Sequence, residues 1–417
     1  MKSTKLILPL ILVSSFLFSC SNVSPQQTIS QDGIKYELAE DKASYAIAGY
    51  EDSLEGKVSL PGKVNGATVK SLKSQAFKAN SKITSVICPD SIETIEEGAF
   101  YDCASLSEID LGKGVKDIAD VVFYKDPLLK HISMPSSIES IGVFNFNGCA
   151  SLEYNIKDNA YYLGNSSNPF SLLWSIDTKA SEVEIPSQCA VIAPDAFNNV
   201  RNSVLKKVLL PSSLKGMGLR TFYNSFYLEE CNLPKEAPLK TIPEAAFFSC
   251  CSLKAIQIPN KVEAIETEAF YNCKSLTSLV LPDSLLSLGV SSFRKCEGLT
   301  EITLGKNLTS LGDNAFMDCI SLEKLTLPSS LKEIGKQAFL SCSSLNQLVI
   351  PESVTSIADY AFAGCTNLSL FFKASSLPSG VSSLYKPSSM MAYFYSEGKP
   401  TSEGSYWHYQ NNIPTAW

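Results

Sequence analysis

The chain has 417 residues, of which 45% are hydrophobic and 18% are charged, and this apolar content excludes an intrinsically disordered protein. A net charge of −7 supplies no basic excess to bind a phosphate backbone, so we expect no nucleic acid partner. Two histidines leave little room for histidine-based catalysis or zinc binding. The unusual features are 13 cysteines and 21 phenylalanines, whose function must follow from their spacing.

The N-terminus has the features of a secretory signal. Two lysines precede an apolar stretch from Leu6 to Phe18 that is too short to span a bilayer, so residues 1–19 are predicted to be a signal peptide. The following Leu17-Phe18-Ser19-Cys20 resembles a bacterial lipobox, although Phe18 is bulkier than usual for that motif. The resemblance implies that Cys20 is lipidated and that the protein is anchored on the extracellular face of a bacterial membrane. The alternative is an ordinary signal peptide and a secreted protein.

Two elements are predicted before the body of the chain. Residues 20–32 comprise the lipidated cysteine and a polar segment that we interpret as a tether. Ile34–Leu38 and Tyr45–Ala48 alternate as two short strands, which predicts an N-terminal β-hairpin cap over residues 33–56. Such a cap would cover the open edge of the sheet that follows.

A period of 23 residues organises most of the chain. A series of phenylalanines lies mainly 23 residues apart. An alanine usually precedes each phenylalanine, and a cysteine often follows it three residues later. We interpret both series as a buried structural ladder. The phenylalanines are Phe77, Phe100, Phe123, Phe146, Phe197, Phe222, Phe247, Phe270, Phe293, Phe316, Phe339 and Phe362. The cysteines are Cys103, Cys149, Cys250, Cys273, Cys296, Cys319, Cys342 and Cys365.

Each repeat reads as one structural unit. The L-x-L-P run alternates with the period of a strand, and proline ends the strand because it lacks the N–H that a sheet requires. The A-F-x-x-C run predicts a short helical or 3₁₀ turn with phenylalanine and cysteine pointing inward. Because one unit cannot bury its own apolar side, about twelve stacked units over residues 57–372 are expected to form a solenoid with a parallel sheet.

The full pattern, I-G-x-x-A-F-x-x-C-x-S-L-x-x-L-x-L-P, resembles the BspA-like leucine-rich repeats of bacterial surface proteins. The resemblance implies an α/β leucine-rich-repeat solenoid, a horseshoe or right-handed superhelix. A parallel β-sheet would line its concave face, short helical or 3₁₀ turns its convex face, and small β caps its two ends. Asp126, Val200 and Ser225 depart from the pattern by replacing the cysteine.

Two segments interrupt or end the repeats. Between Phe146 and Phe197 the step is 51 residues, and two β-rich runs around an Asn/Ser/Pro turn predict a hairpin insertion near residues 153–182. Such an insertion is either a projecting binding loop or a passive bulge. Residues 373–417 are rich in aromatics and are predicted to form a hairpin-like C-terminal cap that plugs the last turn, with sugar stacking as the alternative.

The cysteine spacing argues against a metal site. Zinc sites use closely spaced cysteine pairs, whereas the ladder spacing is 23 residues and Cys250-Cys251 are adjacent. We therefore expect no metal and no cofactor, and we favour buried free thiols over disulfides between turns, with Cys251 as the most exposed. No phosphate-binding or calcium-binding loop is present in the sequence. Glu108, Asp110 and His131 form the nearest approach to a catalytic cluster, which we interpret as a solvated strand face.

The outward positions of the predicted strands form a broad polar concave face without a pocket for a small molecule. This face predicts a non-enzymatic surface protein that is monomeric and binds an extracellular protein or glycan, and the family resemblance adds adhesion or host interaction. The alternatives are glycan capture by the hairpin insertion and terminal aromatics, and a structural envelope protein without a ligand. The candidate binding residues are Glu108, Asp110, His131, Ser133, Lys207, Glu230, Asn232, Gln257, Ser278, Glu301, Thr303, Lys324, Thr326 and Gln347.

Overall fold

The computed structural model describes residues 28–177, 179–197, 204–374, 378–379, 391–397, 405–410 and 413–416. The predicted signal peptide, Cys20, most of the tether and Val200 lie outside the described residues. In the described part of the chain, no helix is long and apolar enough to cross a membrane.

Three antiparallel strands open the structure and continue into the repeats. They are β1 (Thr28–Gln31), β2 (Ile34–Leu38) and β3 (Tyr45–Tyr50). The predicted tether is therefore too long, because its last part pairs with β2 as an additional strand. Strand β3 pairs in parallel with the first repeat, and the Tyr50 ring stacks on Phe77 at 6.0 Å between centroids. The cap thus extends both the sheet and the core.

The repeats form a β-solenoid of about 14 turns with parallel sheets. The strands up to the insertion are β4 (Gly56–Ser59), β5 (Lys63–Val64), β6 (Ala67–Leu72), β7 (Ile83–Ile87), β8 (Thr94–Ile95), β9 (Glu108–Asp110), β10 (Asp117–Ile118), β11 (His131–Ser133) and β12 (Ser140–Ile141). The insertion contributes β13 (Asn155–Lys157), β14 (Ala160–Leu163) and β15 (Leu172–Ile176).

The strands after the insertion repeat the same alternation of longer and shorter elements. They are β16 (Glu182–Glu184), β17 (Val191–Ile192), β18 (Lys207–Leu209), β19 (Gly216–Met217), β20 (Glu230–Asn232), β21 (Thr241–Ile242), β22 (Ala255–Ile256), β23 (Ala264–Ile265), β24 (Ser278–Val280), β25 (Ser287–Leu288), β26 (Glu301–Thr303), β27 (Ser310–Leu311), β28 (Lys324–Thr326), β29 (Glu333–Ile334), β30 (Gln347–Ile350) and β31 (Ser356–Ile357). The last four are β32 (Ser369–Phe372), β33 (Met391–Tyr395), β34 (Tyr406–Gln410) and β35 (Ile413–Ala416).

Each turn contributes two strands, where the sequence predicted one. The L-x-L strands form what we call the first ladder, which begins with β4, β7, β9 and β11. The two-residue strands that follow them, such as β8, β10 and β12, form a second parallel ladder. Partners in both ladders mostly lie 23 residues apart, as His131 opposite Glu108 and Ser140 opposite Asp117 show, whereas Glu182 and Lys207 are 25 apart. The repeat length in the sequence thus determines which residues pair with each other in the sheets.

The predicted helical turns are wrong, because the described residues contain no helix. In the A-F-x-x-C turns, residues two before and two after the phenylalanine adopt positive φ, for example Ser291 at 55° and Lys295 at 61° around Phe293. All three donate their N–H groups to carbonyls of the next turn, each at 2.8 Å. A helix keeps its N–H bonds within itself and cannot make these contacts. Bonding between turns therefore offsets the cost of left-handed residues, about 1–2 kcal/mol each.

The phenylalanine rings of the ladder stack on one another on either side of the insertion. From Phe247 to Phe362, neighbouring ring centroids are 5.1–5.6 Å apart and the planes are within 8° of parallel. These rings are at most 1% exposed. At the insertion the stack is interrupted, because Phe146 meets Trp174 edge-on at 77°.

Each ladder cysteine donates its thiol to a backbone carbonyl. The Sγ atoms of all eight lie 2.9–3.2 Å from the carbonyl oxygen of the phenylalanine one turn earlier. A buried carbonyl without a partner is costly, so cysteine is selected as a small apolar side chain that still donates a hydrogen bond.

Asp126 occupies the cysteine position of its turn and is fully buried. Its Oδ1 accepts a hydrogen bond from the Cys103 N–H at 2.7 Å, and its Oδ2 is buried without a hydrogen-bond partner. Burial raises the pKa of Asp126 from 3.8 to about 8, so the carboxyl group holds a proton at neutral pH in the folded protein.

The insertion near residues 153–182 is built into the solenoid rather than attached to it. β13, β14 and β15 form an antiparallel meander, so the predicted hairpin gains one strand. β15 then pairs in parallel with β17 of the second ladder. Leu172 packs in the core on the N-terminal side, whereas Leu173 packs in the core on the C-terminal side. The inserted strands therefore separate two hydrophobic clusters.

We expect Phe293→Ala to lower the free energy of unfolding by about 3–5 kcal/mol, because it removes a buried ring from the middle of the stack. Phe144→Ala is the matched control, since this ring is 50% exposed and its removal should change stability by less than about 1 kcal/mol. Urea denaturation followed by circular dichroism measures both values. Equal effects of the two substitutions would contradict a structural role of the stack.

We expect Asp126→Asn to stabilise the protein increasingly as the pH rises from about 4 to about 8. Over this range the folded state retains a proton that the unfolded chain has released, so the free energy of unfolding of the native sequence falls with pH. Asparagine keeps an oxygen for the Cys103 N–H but does not ionise. Urea denaturation at pH 5 and pH 8 tests this, with the exposed Asp177→Asn as control. A stability difference that is the same at both pH values would show that Asp126 does not titrate as stated.

Candidate functional site

The strands of the first ladder place the candidate residues on one surface. In the three-residue strands of the first ladder other than β28, the middle side chain is buried, such as Ile109 at 2% and Ile302 at 2% exposure, and the flanking side chains point outward. Twelve of the fourteen candidate residues are exposed, and Ser133 and Lys207 are half-buried. We call these fourteen residues the polar strand face. The structure brings them together by stacking turns, so the face is a surface rather than a cleft.

Opposite charges meet across neighbouring strands of this face. Lys324 Nζ lies 3.6 Å from Glu301 Oε2. Lys207 Nζ lies 3.2 Å from Glu182 Oε1 and 4.0 Å from Glu230 Oε2. All of these side chains are at least 38% exposed, so the pairs contribute little stability and mainly keep the face locally neutral.

The acidic and imidazole cluster lies on the solvent-exposed side of its strands. His131 lies opposite Glu108, and Ser133 lies opposite Asp110. His131 Nδ1 is 3.4 Å from Glu153 Oε2, and Lys130 Nζ is 3.2 Å from Glu153 Oε1. The side chains of His131 and Glu153 are 52% and 56% exposed. Side chains this exposed lack the water-excluded surroundings that are typical of an active site.

The thiols are structural and unreactive. All twelve cysteines in the described part of the chain are free, and all but the half-buried Cys251 are buried. Burial raises the pKa values of Cys88 and Cys296 to about 12, so these two groups are not thiolates at neutral pH. The described residues also contain no group of three or more histidine, cysteine or acidic side chains that could hold a metal ion.

The polar strand face is uneven, because depressions lie where its strands do not pair. After the insertion the first ladder is interrupted twice, because β22 does not pair with β24 and β28 does not pair with β30. At the first interruption a depression of about 580 Å³ is lined by Ile256, Leu279 and Val280. Val280 is 69% exposed, the highest value among the large hydrophobic side chains of the described chain. At the second interruption lies a pocket of about 630 Å³.

The C-terminal aromatics are arranged differently from the predicted hairpin. β33 pairs in parallel with β32, and β34 pairs in parallel with β33, so these strands continue the first ladder. The hairpin instead joins β34 to β35. Trp407 is fully buried and donates from Nε1 to the Phe372 carbonyl at 3.0 Å. Tyr409 is 43% exposed and lines the second pocket.

Sequence reasoning found the polar residues of the face but missed Val280 and Lys373, and it considered Tyr409 only as one of the terminal aromatics, with sugar stacking as an alternative. Val280 occupies an outward strand position in the L-x-L pattern, so its apolar character at that position was a usable signal. Lys373 and Tyr409 lie far apart in sequence, and the pocket they share depends on how the last strands fold back.

The family described as BspA type leucine rich repeat region matches this chain in six copies, over residues 56–171, 176–279 and 263–389. A comparison with curated proteins found no match.

Three solved bacterial structures are similar over most of the chain. A leucine-rich repeat protein from Bacteroides ovatus is 24% identical, with 87% of this chain and 99% of that chain covered and a TM-score of 0.33. A leucine rich cell surface protein from Faecalibacterium prausnitzii is 23% identical, with coverage of 87% and 98% and a TM-score of 0.33. The pneumococcal vaccine antigen PcpA is 20% identical, with coverage of 89% and 94% and a TM-score of 0.38.

Proposed function

Because this chain belongs to the BspA-type leucine-rich repeat family, we propose that it is a non-enzymatic cell-surface lipoprotein that binds a macromolecular partner through the polar strand face. The partner is an extracellular protein or glycan, and adhesion or host interaction is part of the proposal. The observation that carries it is the exposure of this face, on which none of the fourteen candidate side chains is buried.

The face also has the composition that macromolecular interfaces use. Stable interfaces combine a small apolar centre with a polar rim, and a few residues supply most of the binding energy. Val280 and the depression beside it provide an exposed apolar centre, and Ser278, Gln257 and Thr303 surround it with polar groups. We therefore place the energetic centre of the interface at the first interruption of the ladder.

Two other functions remain as alternatives. One is glycan capture by the insertion and the terminal aromatics. The structure gives little support to the insertion as a glycan site, because β14 and β15 pack into the core. A structural envelope protein would use the same fold and would bind nothing through the face.

We expect Val280→Asp to weaken partner capture by at least about tenfold, because a buried carboxylate in the centre of the interface would lack a counter-ion. Binding is measured against immobilised fibronectin, laminin and collagen and against a glycan array. Ile320→Asp is the matched control, since Ile320 is 45% exposed and lies outside the first-ladder strands. Capture that is unaffected by Val280→Asp would move the interface elsewhere, and silence of every probe would favour the structural alternative.

We expect Cys20→Ala to release the protein from the membrane, because the lipobox resemblance makes Cys20 the acylated residue. Fractionation of cells and metabolic labelling with palmitate measure the change, and Cys251→Ala serves as control for loss of a cysteine outside the lipobox. A Cys20→Ala protein that remains in the membrane fraction after removal of its signal would contradict lipid anchoring.

A further inference from the structure

The second interruption of the first ladder is a local opening between two turns. Leu325, in the middle of β28, is half-buried, whereas Leu348 in the middle of β30 is 1% exposed. The buried Ser353 hydroxyl has no hydrogen-bond partner, although the corresponding Ser330 donates to the Leu308 carbonyl at 2.6 Å. A buried hydroxyl without a partner requires a structural reason, and this one lies next to the point where β28 and β30 do not pair.

The opening is enclosed on its far side by the C-terminal hairpin. Tyr409 of β34 and Pro414 of β35 face the strands β28 and β30 across a pocket of about 630 Å³. Lys373 Nζ lies 5.7 Å from the centroid of the Tyr409 ring, so a cation–π contact holds this wall in place. Pockets of about 300–1,000 Å³ are the usual size for small ligands.

The pocket combines an apolar floor with neutral hydrogen-bonding groups. Leu325 and Val349 form part of the floor, and Thr326 and Gln347 supply a hydroxyl and an amide at the edge. Lys373 and Glu352 contribute one charge of each sign, so the pocket carries no net charge to attract an anion or a cation. A purely apolar ligand would leave the hydroxyl and amide groups without partners, which is costly.

We propose that this pocket binds a carbohydrate of one or two sugar units. A pyranose ring presents apolar C–H groups on its face and hydroxyls around its edge, which matches the apolar floor, the Tyr409 ring and the neutral polar rim. The inference extends the proposed function to one end of the polar strand face, and it rests on that proposal for the exposure of the face to extracellular ligands. Binding here needs neither Val280 nor the first interruption of the ladder.

Saturation-transfer-difference NMR with the lipid-free protein tests the proposal. The probes are glucose, galactose, mannose, N-acetylglucosamine, lactose, cellobiose and N,N′-diacetylchitobiose. We expect at least one sugar to bind saturably and its Kd to rise by about tenfold or more in Gln347→Ala and in Tyr409→Ala, through lost hydrogen bonds and lost ring contact. Tyr227→Ala is the matched control, because Tyr227 is 55% exposed and lies outside the pocket.

Thermal melting of each variant separates a loss of binding from a loss of folding. Gln347 is exposed, so Gln347→Ala should melt like the native sequence even if Tyr409→Ala does not. Silence of the whole sugar panel, or sugar binding that both pocket variants leave unchanged, would overturn the site. A peptide whose binding depends on Gln347 and Tyr409 while the sugars are silent would also overturn it.

The outcome for the sugar pocket is separable from that for the proposed function. Loss of sugar binding in Tyr409→Ala, which lies outside the polar strand face, with normal capture of a macromolecular partner supports the pocket as a distinct site. A silent sugar panel with partner capture that depends on Val280 removes the pocket and leaves the proposed function in place.

Discussion

The backbone hydrogen bonds between successive turns are the constraint on which this structure depends. Each turn must present its N–H and C=O groups to its neighbours at the spacing of a parallel sheet, about 4.8 Å. The phenylalanine rings stack because they occupy the same position on every turn, and the cysteine thiols reach the preceding turn for the same reason. The same constraint explains the glycine at position 312. A Cβ there would lie 2.6 Å from the Gly289 carbonyl carbon, so the second ladder admits no side chain at this position.

The sequence was sufficient for the part of the fold that is strictly periodic. Phenylalanine, cysteine and proline in phase predict stacked turns and a parallel sheet, since each apolar position can be buried only by its copy in the next turn. The turn conformation was not predictable in this way. Phenylalanine and cysteine three residues apart fit a helical turn, and the positive φ values fall on ordinary residues such as Ser291 and Lys295, which carry no such signal. The second ladder was missed because its strands are two residues long.

The candidate site, like the fold, could be predicted from the sequence only where it follows the repeat. The alternation of the L-x-L strands was enough to place the polar strand face, because outward and inward positions follow from the pleat alone. The pockets depend on deviations from the repeat, which neighbouring turns of similar sequence do not reveal. β28 and β30 overlap the similar runs Leu325-Thr326-Leu327 and Leu348-Val349-Ile350, yet they do not pair. Tyr409 can form a wall of the pocket because β33 and β34 pair in parallel with the strands before them. The glycines and prolines of this segment had instead predicted a hairpin.

The inserted strands give the molecule an internal boundary. In a repeat protein, each turn contacts only its neighbouring turns. Here Leu163 and Leu172 face one hydrophobic cluster while Tyr162 and Leu173 face the other, so the same two strands are the end wall of one array and the first wall of the next. Each array can therefore gain or lose a 23-residue unit during evolution without disturbing the packing of the other, and the length of the polar strand face becomes adjustable on either side of a fixed midpoint.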